Sequence, residues 1–428
     1  MIPVIGAGLA GSEAAWYLAE HGEQVQLIEQ KPVRRSSAHT SDCFCELVCS
    51  NSLKSDDVYG NACGLLKEEM RRLGSLTMEA AAATRVPAGG ALAVDRERFA
   101  AYVTEKLRSH SNIHVEEKEA TQLPQAGIVA TGPLTDGALY AAIEARFGGN
   151  LHFYDATAPV VTAESVDMDA AFTADRYGRG TGDYVNCPMD KETYEQFVRE
   201  LLAAEKVTLH AFEKREIFEG CMPVEVMAAR GKDSLRFGTF KPVGLEDENG
   251  RRPYAVLQLR RENAEGTLLG LVGCQTNLKF GEQKRVFSII PALRHAEFMR
   301  YGVMHRNTFL DSPRILRADF SVKDNASLFF AGQMTGVEGY VESAASGMLA
   351  AINCLRRMHS QESIVPEDTC VMGALARYVA TENAHFQPMN ANYGILRGLD
   401  VKDKQQKKKM MAERALAEID RVSALLRR

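Results

Sequence analysis

The sequence lacks the features that would place the protein in a membrane or in an oxidising compartment. No apolar run reaches the roughly 18 residues that a membrane span requires. The chain has nine cysteines, and an odd number argues against a framework of paired disulfides. None of them forms a C-x-x-C pair, which argues against a structural zinc site. We therefore expect reduced thiols, a cytoplasmic location, no membrane partner and no bound metal.

Low-complexity tracts are also absent from the sequence. Its composition is 45% hydrophobic and 25% charged, as in ordinary globular proteins. At 428 residues, the chain can form two or three domains with cores large enough to need neither metal nor disulfide.

Charge is distributed unevenly along the chain. The net charge is −5, yet residues 402–428 hold nine basic and four acidic side chains, so the preceding 401 residues carry −10. A basic tail on an acidic body can bind a polyanion, and Lys407, Lys408 and Lys409 form its densest cluster. A solvated helix face is the alternative, because charged residues also cover ordinary exposed helices. Apolar residues about one turn apart predict that the tail is an amphipathic helix: Met411, Ala415, Ile419 and Val422.

The most specific motif is a glycine-rich turn near the N-terminus. A short strand, a helical run to Glu20 and a second strand ending at the acid Glu29 surround the turn Gly6-Ala7-Gly8-Leu9-Ala10-Gly11. In this dinucleotide-binding fingerprint, Gly6 permits the tight turn, Gly8 lets amides approach a pyrophosphate and Gly11 lets helix and strand pack closely. The helix N-terminus attracts the diphosphate, and Glu29 would accept a hydrogen bond from an adenosine ribose hydroxyl. Because residue 1 leads almost directly into this turn, we expect no cleavable leader.

Two later segments favour FAD over NAD, a choice that the fingerprint alone leaves open. Residues 127–130 form a buried type of strand followed by Thr131-Gly132, and residues 328–331 form another followed by Gly332-Gln333. A helix of small residues then runs from about Glu342 to Leu355. In two-dinucleotide-fold flavoproteins, such a helix directs its N-terminus at the flavin pyrimidine. Each of these segments, considered alone, could also be an ordinary core strand or helix that does not contact a cofactor.

The predicted fold is α/β, with a Rossmann-like FAD-binding domain of the two-dinucleotide-binding type and an inserted α+β substrate domain. We expect the two parts of the FAD-binding domain at 1–155 and 326–428, the latter including the basic C-terminal helix, and the inserted domain at 156–325. Within the insertion, residues 253–259 and 268–276 alternate as two strands that a turn at 263–266 would pair, and 190–205 and 283–290 are predicted helices.

Two cysteines stand in contexts that favour chemistry. Cys221 precedes a short predicted helix whose first residue would be Pro223, and a thiol at a helix N-terminus shifts towards the thiolate. A buried and inert cysteine is the alternative. Cys49 lies in a polar loop at 47–53. Cys43 and Cys45 are close to it in sequence, but a zinc site would require a second pair of ligands, and the sequence shows none.

The chain resembles, essentially from end to end, the bacterial folate- and FAD-dependent tRNA (uracil-5-)-methyltransferases, relatives of the flavoproteins that modify wobble uridines. The resemblance rests on long blocks in the same order and spacing: GAGLAGSEAAW (6–16), ELVCSNSL (46–53), VPAGGALAVDR (86–96), ATGPL (130–134), NCPM (186–189), FEGCMPVEVMA (218–228), KPVGL (241–245), YGVMHRNTF (301–309), AGQMTGVEGYVESAASG (331–347) and FQPMNANYG (386–394). The remote wobble-uridine relatives have a longer C-terminal region, which this chain lacks.

The resemblance implies methyl transfer without S-adenosylmethionine. Methylenetetrahydrofolate gives its one-carbon unit to N5 of reduced FAD, and NADH or NADPH restores the reduced flavin. A thiolate adds to C6 of the T-loop uridine of tRNA, and the activated C5 then attacks the flavin-bound methylene. The partners would be folate and the T-arm of tRNA, not DNA, and the oligomeric state stays open.

Particular residues acquire roles through the same resemblance. Cys221 matches the family's nucleophile, and Cys49 matches a second cysteine near the flavin that would transfer a proton or shield the site. His305, Arg306 and Asn307 would bind a folate carboxylate or an RNA phosphate, with a structural loop as the alternative.

Three rival functions are compatible with parts of the sequence. A paralogue could methylate a ribosomal-RNA uridine by the same chemistry, and a generic flavin oxidoreductase would act on small molecules without needing Cys221. An RNA-binding scaffold would hold FAD as a structural group and show no folate-dependent turnover. The blocks around Cys49 and Cys221 favour the methyltransferase over the last two.

Overall fold

The computed structural model describes residues 1–36, 38–148, 151–178, 180–207, 222–246, 250–383 and 386–427, and of residues 151–156 and 304–306 only the backbone. Within these residues the strands are β1 Ile2–Ile5, β2 Val25–Glu29, β3 Ser52–Ser55, β4 Arg85–Val86, β5 Ala91–Val94, β6 Ile113–Glu117, β7 Gly127–Val129, β8 Leu151–Ala156, β9 Val160–Thr162, β10 Phe172–Thr173, β11 Tyr184–Met189, β12 Ala255–Arg261, β13 Leu268–Leu271, β14 Phe298–Arg300, β15 Met304–Phe309, β16 Ser321–Val322 and β17 Asn325–Phe330.

Helices cover most of the remaining regular structure. They are α1 Leu9–Glu20, α2 Ala62–Arg72, α3 Leu76–Ala83, α4 Arg96–Ser109, α5 Gly137–Phe147, α6 Lys191–Ala203, α7 Val224–Ala229, α8 Ser234–Phe237, α9 Phe280–Phe287, α10 Ser312–Ile315, α11 Tyr340–Met358, α12 Val371–Ala380 and α13 Lys404–Leu426. Aspartates begin several of them: the carboxylates of Asp95, Asp190 and Asp403 each accept a first-turn amide, of α4, α6 and α13 respectively.

The first sheet has the strand order β16-β17-β7-β1-β2-β6. Its strands from β17 to β6 run parallel, and β16 pairs antiparallel with β17. From β1 the chain continues to β2 on one side and later returns to β7 on the other side, so the strand order reverses at β1. In doubly wound sheets, ligands bind in the crevice beyond the carboxyl ends of the strands at this reversal. The predicted FAD-type fold is confirmed. The edge strand β16, at Ser321–Val322, belongs to this sheet although it precedes residue 326.

A second six-stranded sheet, β10-β11-β12-β13-β9-β14, is antiparallel throughout and has a separate hydrophobic core. The predicted hairpin is present, because Leu259 of β12 pairs with Leu271 of β13 and Gly266 donates its amide to the carbonyl of Asn263 in the turn. Two smaller antiparallel sheets, β3-β5-β4 and β8-β15, complete the pairing.

Pro3 occupies the centre of the first sheet, where proline is normally unwelcome because it cannot donate to the ladder. Its neighbour in β7 is Gly127, and a Cβ there would lie 2.7 Å from Cγ of the Pro3 ring and collide with the Pro3 carbonyl. The proline is therefore accommodated by a partner strand that begins without a side chain.

Candidate active site

The glycine-rich turn connects β1 to α1 at the crevice of the first sheet. Gly6 has φ +96°, and a Cβ there would lie 2.6 Å from the carbonyl oxygen of Ala130. A Cβ at Gly11 would collide with the carbonyl oxygen of Gly6. At Gly8, by contrast, a Cβ would meet no protein atom within 4 Å. Gly6 and Gly11 thus permit packing inside the protein, whereas Gly8 keeps a space open in front of the turn.

Two helices direct their N-termini at that space. Gly8 precedes α1 and Gly339 precedes α11, and neither has a side chain that could cap the first-turn amides. The two helices pack closely, since a Cβ at Gly347 of α11 would collide with the carbonyl of Ala10. Uncapped helix N-termini bind anionic groups, so this arrangement fits a diphosphate at α1 and an electron-rich ring at α11.

The carboxylate of Glu29 lies at the end of β2 and is buried. It accepts hydrogen bonds from the amide of Ala7 at 2.7 Å and from the amide of Lys31 at 3.0 Å. These two bonds orient the carboxylate beside the glycine-rich turn, where each oxygen keeps a lone pair for a ribose hydroxyl.

A main cleft of about 1200 Å³, including its open mouth, collects the predicted cofactor residues. It is lined by Gly6, Ala7, Gly8, Leu9, Ala10, Glu29, Thr131, Gly132, Gly332 and Gln333. Gly11 alone of the predicted set does not line it, because this residue lies behind the turn in the packing of α1. The amide of Gly332 donates to Ser346 Oγ at 2.7 Å, which fixes this turn against α11.

The main cleft also contains ionisable residues to which the sequence analysis gave no cofactor role. Lys31, His39 and Lys118 line it. Burial, followed by the Lys31 cation, lowers the pKa of His39, so this imidazole is neutral at pH 7. Nothing in the local pattern around these residues marked them, because they reach the cleft from loops beside β2 and β6.

A second cavity of about 1100 Å³, including its open mouth, adjoins the main cleft and is lined by Cys49. The two spaces share five lining residues: Val48, Pro133, Leu134, Gln333 and Tyr340. The hydroxyl of Tyr340 accepts the amides of Cys49 at 2.8 Å and Ser50 at 3.2 Å. Cys49 is therefore held at the first turn of α11, in a space next to the predicted flavin site.

Most of the other thiols lie in hydrophobic cores. Burial raises the pKa of Cys45, Cys187 and Cys354 to about 12 and that of Cys274 and Cys370 well above its ordinary value, which keeps these sulfurs protonated and unreactive. Among the described residues, no group of three or more His, Cys, Asp or Glu side chains could hold a metal ion. In that same part of the chain, no helix is both long and apolar enough to cross a membrane.

Cys221 lies outside the described residues. The helix after it, α7, begins at Val224, and Pro223 occupies the N-cap with ψ 141°. The prediction that Pro223 is the first helical residue was therefore wrong by one position, since the extended ψ of Pro223 keeps it outside the helix.

The triplet His305, Arg306 and Asn307 belongs to strand β15, which pairs with β8. These residues therefore lie in a ladder and not in a loop, and their role in binding stays a prediction. The side chains of His305 and Arg306 are outside the described atoms. Asn307 is buried and lines the second cavity beside Cys49.

The three lysines of the tail lie on the first turns of α13. Lys408 and Lys409 are exposed and Lys407 is half-buried. The predicted apolar stripe is buried against the body, at Met411, Ala415, Ile419 and Val422. Lys408 Nζ donates to the carbonyl of Gly60 at 3.0 Å and lies 5.6 Å from the ring centre of Tyr393, so one lysine of the cluster is already engaged with the body.

Comparison with known proteins agrees with this geometry. The family model of Glucose inhibited division protein A matches residues 1–362. Three similar proteins are named methylenetetrahydrofolate--tRNA-(uracil-5-)-methyltransferase TrmFO: those of Lactobacillus acidophilus (52% identical, covering 98% of this chain and 97% of the relative), Acetivibrio thermocellus (55%, 97% and 97%) and Geobacter sulfurreducens (55%, 98% and 98%). The solved structure of Aquifex aeolicus GidA aligns with a TM-score of 0.73 at 17% identity, covering 99% of this chain and 73% of that one.

Proposed function

The chain belongs to the family of Glucose inhibited division protein A and of the TrmFO proteins, and we propose that it methylates C5 of the T-loop uridine of tRNA in the cytoplasm, with methylenetetrahydrofolate as one-carbon donor. FAD, when bound, supplies the position that carries the one-carbon unit and the electrons that reduce it to a methyl group. NADH or NADPH would reduce the flavin. The segment from residue 156 to the residues before β16 would form the substrate domain, and 1–155 with β16 and the chain after it would form the FAD-binding domain.

One observation carries this proposal: the Cys49 cavity adjoins the main cleft, and the two spaces share five lining residues. The cleft has what FAD requires, since Gly8 leaves space, α1 presents uncapped amides and Glu29 is oriented beside them. A pyrimidine entering the second cavity would meet a thiol without leaving the edge of the flavin site.

We assign the nucleophile to Cys221 and a supporting role to Cys49. The C5 position of uracil attacks an electrophile only after a soft thiolate has added to C6, which makes the reaction covalent catalysis. Cys49 would then serve the proton transfers at C5 or shield the adduct from water, from the position that Tyr340 gives it. Asn307 is buried and lines the same cavity, so its amide group would form a hydrogen bond with the pyrimidine or the folate.

The lysines of α13 would add affinity without sequence specificity. Lys407, Lys408 and Lys409 lie on a helix anchored by its apolar face, so their positions relative to the body are fixed. Cations held in this way neutralise phosphates along an RNA backbone.

A turnover assay tests the proposal directly. Transfer RNA lacking the T-loop methyl group is incubated with the protein, methylenetetrahydrofolate and NADPH, and the modified nucleotide is mapped. We expect 5-methyluridine in the T-loop, dependent on folate and reductant. Methylation of a ribosomal transcript in place of tRNA would establish the paralogous activity, and RNA binding without folate-dependent turnover would establish a scaffold.

A further inference from the structure

Cys49 also borders a third space, of about 520 Å³ including its open mouth, which we call the arginine cavity. It shares Cys49, Ser50 and Gln275 with the second cavity and no residue with the main cleft. Its charged lining consists of Arg96, Arg260, Arg300 and Glu262. Three cations therefore face one anion in a cavity beside the thiol.

Two of the arginines are held by protein groups. Arg96 Nε lies 2.7 Å from Glu262 Oε2, and its Nη1 donates to the carbonyl of Leu47 at 3.0 Å. Arg260 donates to Asn51 Oδ1 at 2.9 Å and to Ser50 Oγ at 2.7 Å. Both arginines thus support the loop that presents Cys49, and Glu262, 6% exposed, neutralises one positive charge.

Arg300 is different. Among the described residues, no acceptor forms a hydrogen bond with the Arg300 guanidinium, and no carboxylate lies within 4.0 Å of it. The Nε atom of Arg300 is buried without a hydrogen-bond partner, and the same is true of Nη2 of Arg96. Burial, followed by the Arg96 cation, lowers the pKa of Arg300 to about 10, so the side chain remains charged at neutral pH. Arg300 is half-buried, and the nearby Glu262 is already paired with Arg96, so an entering anion would stabilise the Arg300 cation.

Building on the proposed function, we propose that the arginine cavity binds a backbone phosphate of the RNA substrate next to the target uridine. Guanidinium groups bind phosphate oxygens with paired, charge-assisted hydrogen bonds, and Arg300 and Arg96 hold buried donors that lack acceptors. A uridine extruded towards Cys49 carries its phosphates one ribose away from the ring, which suits a cavity that begins at the same cysteine. The folate carboxylates are less suited, because an aminobenzoyl group separates them from the reacting carbon.

The site would position the substrate as well as attract it. Phosphate contacts fix the register of a nucleic acid but carry no base information. With one phosphate held at Arg300, rotation of the nucleotide about its backbone would bring the uracil into the second cavity. The arginine cavity would therefore act as the pivot of the extruded nucleotide.

Arg300→Gln is the test variant, because Arg300 supports no other group of the described structure. Arg294→Gln, an exposed arginine of the same segment, is the matched control. Affinity for a T-arm RNA hairpin is measured as a function of salt, independently of methyl transfer. We expect Arg300→Gln to weaken binding about tenfold and to reduce the salt slope by about one unit, as for a lost charged phosphate contact. Arg300→Lys should recover part of the affinity, and Arg294→Gln should behave as wild type.

A second measurement locates the phosphate. Hairpins that carry a single neutral methylphosphonate on either side of the target uridine remove one negative charge each. At one of these positions, the methylphosphonate should lower the affinity of the wild-type protein for the hairpin. With that same hairpin, Arg300→Gln should bind as well as the wild type, because the contact has already been removed. Additive losses at both positions would overturn the proposal, because Arg300 would act elsewhere on the RNA.

Other outcomes separate this proposal from the proposed function. If Arg300→Gln methylates with a raised KM for folate and unchanged hairpin affinity, the cavity binds a carboxylate and the phosphate proposal is wrong. If wild type methylates and Arg300→Gln, shown by thermal unfolding to be folded, binds RNA equally well, the proposal also fails. If the hairpin binds with the expected dependence on Arg300 but is never methylated, the phosphate site stands and the proposed reaction fails.

Discussion

The phenolic oxygen of Tyr340 accepts the backbone amide of Cys49 at 2.8 Å, joining two residues that are 291 positions apart in the chain. Tyr340 is the first residue of α11, whose N-terminus faces the main cleft, and Cys49 is the thiol of the adjoining cavity. Burial, followed by the charge of Cys49, raises the pKa of Tyr340 above its ordinary value, so the hydroxyl stays protonated. The predicted flavin helix and the thiol loop are therefore linked by one side chain.

Replacing Tyr340 by phenylalanine should loosen the Cys49 loop without removing any charged group. The amides of Cys49 and Ser50 would lose their acceptor, which we expect to cost about 1–3 kcal/mol of stability. Methyl transfer should fall while FAD stays bound. Thermal unfolding, FAD content and turnover check this expectation, with the exposed Tyr59→Phe as the control. Full activity in Tyr340→Phe would show that the position of the loop is not important for catalysis.

Alanine substitutions at two glycines of the turn should have opposite consequences. Gly11→Ala should destabilise the fold, because its Cβ would collide with the Gly6 carbonyl. Gly8→Ala meets no protein atom and has an ordinary φ of −74°, so the apoprotein should fold, yet the methyl group would occupy the pyrophosphate space. Wild type should be yellow and release FAD on denaturation, whereas folded Gly8→Ala should be colourless. A yellow Gly8→Ala protein would place the diphosphate elsewhere.

Cys221→Ser should abolish methylation while leaving FAD bound and reducible by NADPH. A serine hydroxyl has too high a pKa to supply the nucleophile at neutral pH, so turnover should fall by several orders of magnitude. Wild type should form a covalent adduct with RNA that contains 5-fluorouridine in the T-loop, because fluorine at C5 blocks the proton loss that releases the thiol. Cys221→Ser should form none.

Cys49→Ser is the matched variant for the cysteine assignments. If Cys49 acts in proton transfer or shielding, this variant should still form some adduct with the 5-fluorouridine RNA. Mapping of the adduct to Cys49, with good methylation by Cys221→Ser, would reverse the two roles. Normal turnover in both variants would rule out a thiolate mechanism.

Replacing Lys407, Lys408 and Lys409 by glutamine should weaken tRNA binding and flatten its dependence on salt, since fewer counter-ions are released. The protein should still fold, because the buried apolar face of α13 is untouched and the Lys408 contact with Gly60 that is lost is exposed. The triple lysine-to-arginine variant keeps the charge and serves as the control. An unchanged affinity and salt slope in the glutamine variant would leave the cluster as a solvated helix face.

The sequence by itself determined the features that depend on neighbouring residues. The glycine-rich turn, strand β2 ending at Glu29 and the hairpin of β12 and β13 were predicted because each is specified within a few dozen consecutive residues. The fold class followed from their order. Even there, single positions depended on the backbone, as the N-cap location of Pro223 shows.

Tertiary structure alone decided which distant residues meet. Arg96 begins α4, Arg260 lies in β12 and Arg300 ends β14, so nothing in their local sequence indicates a shared cavity beside Cys49. The contact of Tyr340 with Cys49 and the placement of β16 in the first sheet are of the same kind. Hydrophobic periodicity and turn residues determine structure over short stretches of the chain. The contacts named above form only when separate elements pack together, and no local pattern in a single sequence indicates which elements will do so.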